Sequence, residues 1–166
     1  MRNVISEVKE QLLKDVLQSE LAVKLLTNTS QVSLPAKELR YKQVYPWMKI
    51  PRTIEEAKVF VTFDVTRLAP ITGATRAYRL DVWVLVHDSM MVVDKQVADS
   101  LGLEGQRGVR TDLLENCLDE IINGSTEYTF DRLEGGESEP FSAADDFKGR
   151  HFTYRFRGWN RVGDKV

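Results

Sequence analysis

Two stretches of this chain alternate so strictly that only a strand can use them. In "VFVTFDVTR", residues 59–67, Val59, Val61, Phe63 and Val65 fall on one face while Phe60, Thr62, Asp64 and Thr66 fall on the other. In "YRLDVWVLVHDSMMVVD", residues 78–94, Leu80, Val82, Val84 and Val86 share a face opposite Asp81, Trp83, Leu85 and His87. A helix would scatter both sets around its circumference, so the apolar residues would not share a burial surface. The two strands predict an antiparallel hairpin. Its connection, residues 68–77, is longer than the about two to five residues usual in hairpin loops.

The flanks read differently. Val4, Ile5, Val8, Leu12, Leu13, Val16 and Leu17 recur at helical steps, with Glu7, Lys9, Glu10 and Lys14 between them. Ser19 can cap a continuation, so residues 1–27 form an N-terminal helical segment. Pro35 ends that pattern, and Pro46 and Pro51 make the following segment an extended edge, with Thr53 and Glu56 spaced as a capping box for one helical turn. The edge segment and hairpin together occupy residues 44–90. Residues 94–110 carry Gly102, Gly105 and Gly108 and read as a loop.

Thr111 then caps a helix over 111–123 with a stripe of Leu113, Leu114, Cys117, Leu118, Ile121 and Ile122, stopped by Asn123-Gly124. Residues 127–158 alternate like strands in "TEYTF" and "HFTYRFRGW", separated by an acidic loop. With 166 residues the default is a single domain. The expected class is α+β in two layers, an antiparallel or mixed sheet packed by two main helices and carrying long loops.

Chemistry is harder to find. The 23 basic and 25 acidic residues leave a net charge of −2, which does not advertise a polyanionic partner. One cysteine, Cys117, rules out an intramolecular disulfide and a multi-cysteine metal site, and its place on an apolar stripe marks it as a small buried hydrophobe. The N-terminal residues are too densely charged for a signal peptide or a membrane span.

His87-Asp88 invites an acid-base reading, but neighbours on a strand point to opposite faces, and no nucleophile or oxyanion partner accompanies them. His151 and His87 lack metal-ligand spacing, and "LGLEGQRG" is not a phosphate-cradling loop. No catalytic, metal or cofactor residues are expected.

Local charge is more telling. Residues 131–146 hold Asp131, Glu134, Glu137, Glu139, Asp145 and Asp146 against Arg132 alone, whereas residues 147–166 hold Lys148, Arg150, Arg155, Arg157, Arg161 and Lys165 against Asp164. Arg67, Arg76 and Arg79 gather around the hairpin connection. Such patches can be solvated, can neutralise each other within the fold, or can meet head to tail between identical subunits. Trp47 and Trp159, set among turns, suit a core edge or an interface equally.

The N-terminal helix, the "YPWMKIPRTIEEAKVFVTFDV" entry into a sheet, the "LDVWVLVHD" strand closing on a histidine, the "RTDLLENCLDEII" helix and the late "FKGRHFTYRFRGWNR" strand together resemble bacteriophage tail terminator proteins, also called tail completion or head-tail joining proteins. The resemblance implies a non-enzymatic virion protein that forms a ring, usually six-fold, caps the tail tube, stops its growth and offers a docking surface to the neck. Residues 68–77 would then be an arm reaching a neighbour or the lumen, with residues 94–110 and 134–146 as further contact surfaces.

The candidate subunit or tube interface is Arg67, Pro70, Arg76, Arg79, Glu134, Glu137, Glu139, Arg155, Arg157 and Trp159. The implied partners are further copies in a hexameric ring, the tail tube protein, a neck or connector protein, and sheath where the tail is contractile. No membrane and no sequence-specific nucleic acid is implied, although DNA would pass through the ring. The implied location is the tail-neck junction of the virion, after synthesis in the bacterial host cytoplasm. The alternatives are another neck component, a connector stopper or adaptor, or a small enzyme or ligand-binding domain using His87 with Asp88 or Asp112.

Overall fold

The computed structural model describes residues 3–30, 36–50, 57–144 and 146–159. Among these, five strands form one sheet: β1 (Val44–Tyr45), β2 (Val59–Pro70), β3 (Thr75–His87), β6 (Glu134–Ala144) and β7 (Phe147–Trp159), in the order β1-β2-β3-β7-β6. β1 lies parallel to β2 and every other pairing is antiparallel, so the sheet is mixed. β4 (Val92–Val93) and β5 (Gly108–Val109) make a separate small ribbon. The helices are α1 (Val4–Gln18), α2 (Glu20–Thr27), α3 (Ala36–Leu39), α4 (Lys95–Leu101) and α5 (Arg110–Ile122). The class is α+β.

The alternation of β2 and β3 decides where the core sits. Val59, Val61, Phe63, Leu80, Val82, Val84 and Val86 are fully buried against Val8, Leu12, Leu13 and Val16 of α1 and Leu114, Leu118 and Ile122 of α5. Each such side chain contributes about 1.5–3 kcal/mol on burial. α1 starts where Asn3 Oδ1 accepts from the Ile5 and Ser6 amides, and ends at Ser19, whose hydroxyl caps α2 through the Ala22 amide. The opposite sheet face carries only a small cluster of Tyr45, Phe60, Leu85 and Phe147 at one end.

Several expectations need correction. Thr111 does not cap its helix: α5 begins at Arg110, with Val109 in the cap position making no side-chain cap bond. The Arg110 amide is tied instead to the Met91 carbonyl at 2.7 Å, which brings the first turn one residue forward. Residues 94–110 are more than a loop, because Asp94 caps α4 through the Val97 amide and Gly102, at φ 65°, closes it.

"TEYTF" is a run of bends and not a strand, while most of the expected acidic loop is the strand β6. Pairing with β7 overrides the poor strand propensity of Gly135, Gly136 and Pro140, at the expense of register shifts between Gly135 and Ser138 and between Ser142 and Ala144. The hairpin connection also contracts: β2 runs to Pro70 and β3 starts at Thr75. The turn is held by Thr72 Oγ1, which accepts from the Ala74 and Thr75 amides. Pro35, Pro51, the Thr53/Glu56 capping box, Asp145, Arg161, Asp164 and Lys165 lie outside the described residues.

Candidate functional site

What remains of the long connection is a paired arm. Among the described residues β1 meets β2 only at Val61 and Thr62, and the Val65 amide donates to Asp64 Oδ1, so the outer side of β2 is an open sheet edge from Thr66 onward. Residues 69–74 are exposed, and Arg67 and Pro70 with them. Arg67 stands opposite Tyr78 and Pro70 opposite Arg76, whose Nη1 donates to the Leu68 carbonyl at 3.4 Å. No acidic residue occurs between Asp64 and Asp81. The arm is therefore a stiff, basic finger whose third strand is the end of β7, since Thr75 pairs with Trp159.

At the far edge of the sheet β6 is exposed along nearly its whole length and carries Glu134, Glu137 and Glu139 with no basic residue. Register then brings several candidate residues together. Arg79, Arg155 and Glu134 form one row across β3, β7 and β6. Glu139 contacts His151 Nδ1 at 3.3 Å, while His151 Nε2 meets Asp81 Oδ1 at 2.9 Å and Arg79 Nε donates to Asp81 Oδ2 at 2.9 Å. The His151 ring stacks on Trp83, with centroids 4.7 Å apart. Asp81 faces Asp64 across the β2–β3 ladder, and the two like charges are compensated separately, Asp81 by Arg79 and Asp64 by Lys9 of α1 at 2.5 Å.

Arg157 and Trp159 are engaged within the chain. Arg157 grips Asp131 through Nε at 2.9 Å and Nη2 at 3.3 Å, and its amide donates to the same carboxylate. Trp159 packs on Phe130 with centroids 4.5 Å apart, and both rings stay about half exposed. The hydrogen bonds from Arg157 hold the Asp131 carboxyl below its ordinary range. A carboxylate with a depressed folded pKa stabilises the fold above its unfolded value, about 3.9, and loses that contribution as pH falls through the folded value. Asp131→Asn should therefore lower the melting temperature near neutral pH and converge with wild type in strong acid, as a series of thermal melts against pH would read. A constant gap at all pH values would assign the loss to packing and not to this ion pair.

Residues 19–156 match the family model described as YomW. The chain belongs to the YomW family. The family's name resembles that of a gene product from a Bacillus phage region, which suggests a phage-associated protein. No curated protein matches the chain. The YomW match begins at the junction between α1 and α2 and includes both the arm and the acidic edge, whereas Arg157 and Trp159 fall just beyond it.

The remaining candidates of this YomW-family chain have structural surroundings. His87 ends β3 and turns away from Asp88: its Nδ1 lies 2.8 Å from Ser89 Oγ and accepts from the Ser89 amide, while Asp88 pairs with Lys148. Asp112 is exposed in the first turn of α5, where Thr111 Oγ1 donates to it. Cys117 is buried beside Ser19 Oγ, and burial pushes its thiol pKa up, away from reactivity. Trp47 stacks on Tyr41 and meets the edge of Tyr45. Among the described residues no group of three or more His, Cys, Asp or Glu could hold a metal ion, and no helix is long and apolar enough to cross a membrane.

An open groove of about 920 Å³ runs between α1 and residues 127–130 and ends at Gly158 and Trp159. It mixes Val4, Leu13 and Leu17 with Glu7, Glu10 and Lys14 and presents no converging reactive groups.

The Asp81–His151–Trp83 cluster escaped the sequence reading. Alternation places Asp81 and His151 on outward faces, but only the register between β3 and β7 makes them neighbours.

Proposed function

We propose that this phage-associated protein is a structural assembly protein of tail-terminator type, which acts by forming a ring at the end of the tail tube and not by catalysis. The observation that supports it most is the basic β2–β3 arm, a paired element with an exposed outer end of β2 and an exposed turn. A solitary domain has little use for a finger of this kind, because its exposed backbone edge invites pairing with another chain. In a ring each subunit needs one projecting element and a different receiving surface, and such heterologous contacts close when the rotation between copies allows.

In this reading the partners are further copies of the chain, the tube protein below and a neck or connector protein above, at the tail-neck junction. Stopping growth requires only that the ring match the last tube ring on one face and refuse another tube subunit on the other. Purified protein should run as a closed ring by native mass measurement, or become one on meeting tube ends, and tubes assembled with it should be capped at a limited length. A protein that stays monomeric and neither binds tube ends nor limits tube length would overturn the proposal.

A further inference from the structure

We infer that the two open edges of the sheet are the two halves of one subunit contact: the outer edge of the arm strand β2 in one copy adds to the β6 edge of the next. This deepens the ring reading and rests on it. The edges lie at opposite ends of the strand order β1-β2-β3-β7-β6, since among the described residues β2 has no outer neighbour from Thr66 to Pro70 and β6 has no strand on its far side. An edge strand offers unpaired amides and carbonyls to any extended chain, so charge must choose the partner.

The choice is legible. β6 displays Glu134, Glu137 and Glu139 with no basic residue, so a second β6 set against it meets like charge. The arm displays Arg67, with Arg76 half-buried beside it and donating to the Leu68 carbonyl, and has no acidic residue between Asp64 and Asp81, so two arms also repel. Only arm against β6 is attractive, which excludes a symmetric two-fold pairing through either edge and favours a head-to-tail one. The internal contacts do not exhaust these charges. Glu139 retains about 70% of its side-chain exposure beside His151, and Glu137 is exposed at the bulge.

The residues best suited to a test are those whose reversal leaves the buried network around Asp81 and His151 alone. One variant carries Glu134→Lys with Glu137→Lys, and the other carries Arg67→Glu with Arg76→Glu. Each alone places like charges across the contact and should weaken self-association by at least about tenfold. An equimolar mixture should restore it, because in alternating copies every second joint sets the reversed basic edge against the reversed acidic arm and the joints between them keep the wild-type pairing of acidic edge with basic arm. A single chain carrying all four reversals should also assemble.

Sedimentation velocity reads the particle size, and circular dichroism melts confirm that each variant is folded. Variants that associate as wild type does, or a mixture that stays dissociated although both proteins are folded, would overturn the edge contact while leaving ring assembly standing. A wild-type protein that forms no ring, alone or on tube ends, would overturn the ring reading itself.

Discussion

Arg110→Ala is expected to destabilise the protein by about 4 kcal/mol, because three carbonyl-type acceptors lose a charged donor in a place water does not reach. Arg110 is 1% exposed and has no carboxylate partner among the described residues. Its Nε donates to the Met90 carbonyl at 2.7 Å, its Nη1 to the Leu25 carbonyl at 2.8 Å and its Nη2 to Asn28 Oδ1 at 2.8 Å. Burial pulls the guanidinium pKa below its ordinary value, yet the group stays protonated and serves as a three-pronged clamp.

The clamp joins the C-terminal turn of α2, the short 3-10 turn after β3 and the first turn of α5. Charge at the C-terminal end of α2 is favourable, and the αL conformation of Asn28 turns its side chain into reach. Arg110→Lys should recover only part of the loss, since an ammonium on a flexible stem cannot reproduce the planar fork. Urea unfolding of both variants would check this. A loss below about 1 kcal/mol for the alanine variant would mean that water or a rearranged side chain satisfies the carbonyls.

Gly149→Ala should be nearly as damaging, at about 3 kcal/mol or more, since overpacking against backbone cannot be relieved by a rotamer change. Gly149 pairs with Leu85 in β3, and a Cβ there would run into the Val84 carbonyl. β7 lies between β3 and β6, so parting this ladder disturbs the middle of the sheet and the Phe60, Leu85 and Phe147 cluster beside it. Two other glycines provide scale. At Gly158 the added carbon would meet the Tyr78 ring and a Val4 methyl, side chains and not backbone, so a loss smaller than at Gly149 is expected. At Gly73 it would meet nothing within 4 Å, and Gly73→Ala should change stability by less than about 0.5 kcal/mol. Thermal or chemical melts that rank the three equally would contradict this account.

The ends of elements were less legible than their interiors, and the reasons are physical. Thr111 is a good capping residue by type, yet the helix start belongs to Arg110, because a clamp to two distant segments outweighs one local cap bond. β6 reads as a loop because Gly135, Gly136 and Pro140 are poor strand formers; β7 makes it a strand by offering a ladder. The candidate interface residues divide in the same manner. Their charges are plain in the sequence, but which remain available is not: Arg157 is engaged by Asp131 and Trp159 by Phe130, while Arg67 and Glu137 stay exposed on the two open edges.

The period of two in β2 and β3, the period near 3.6 in α1 and α5, and the single cysteine were enough to establish an α+β protein with one face of its sheet buried under helices. Those properties depend on which residues recur at which spacing, and spacing is a local quantity. Strand order, the β3–β7 register that joins Asp81 to His151, the Arg110 clamp and the opposition of a basic edge to an acidic one are long-range. They depend on which distant segments bury one another, so only the folded chain decides them.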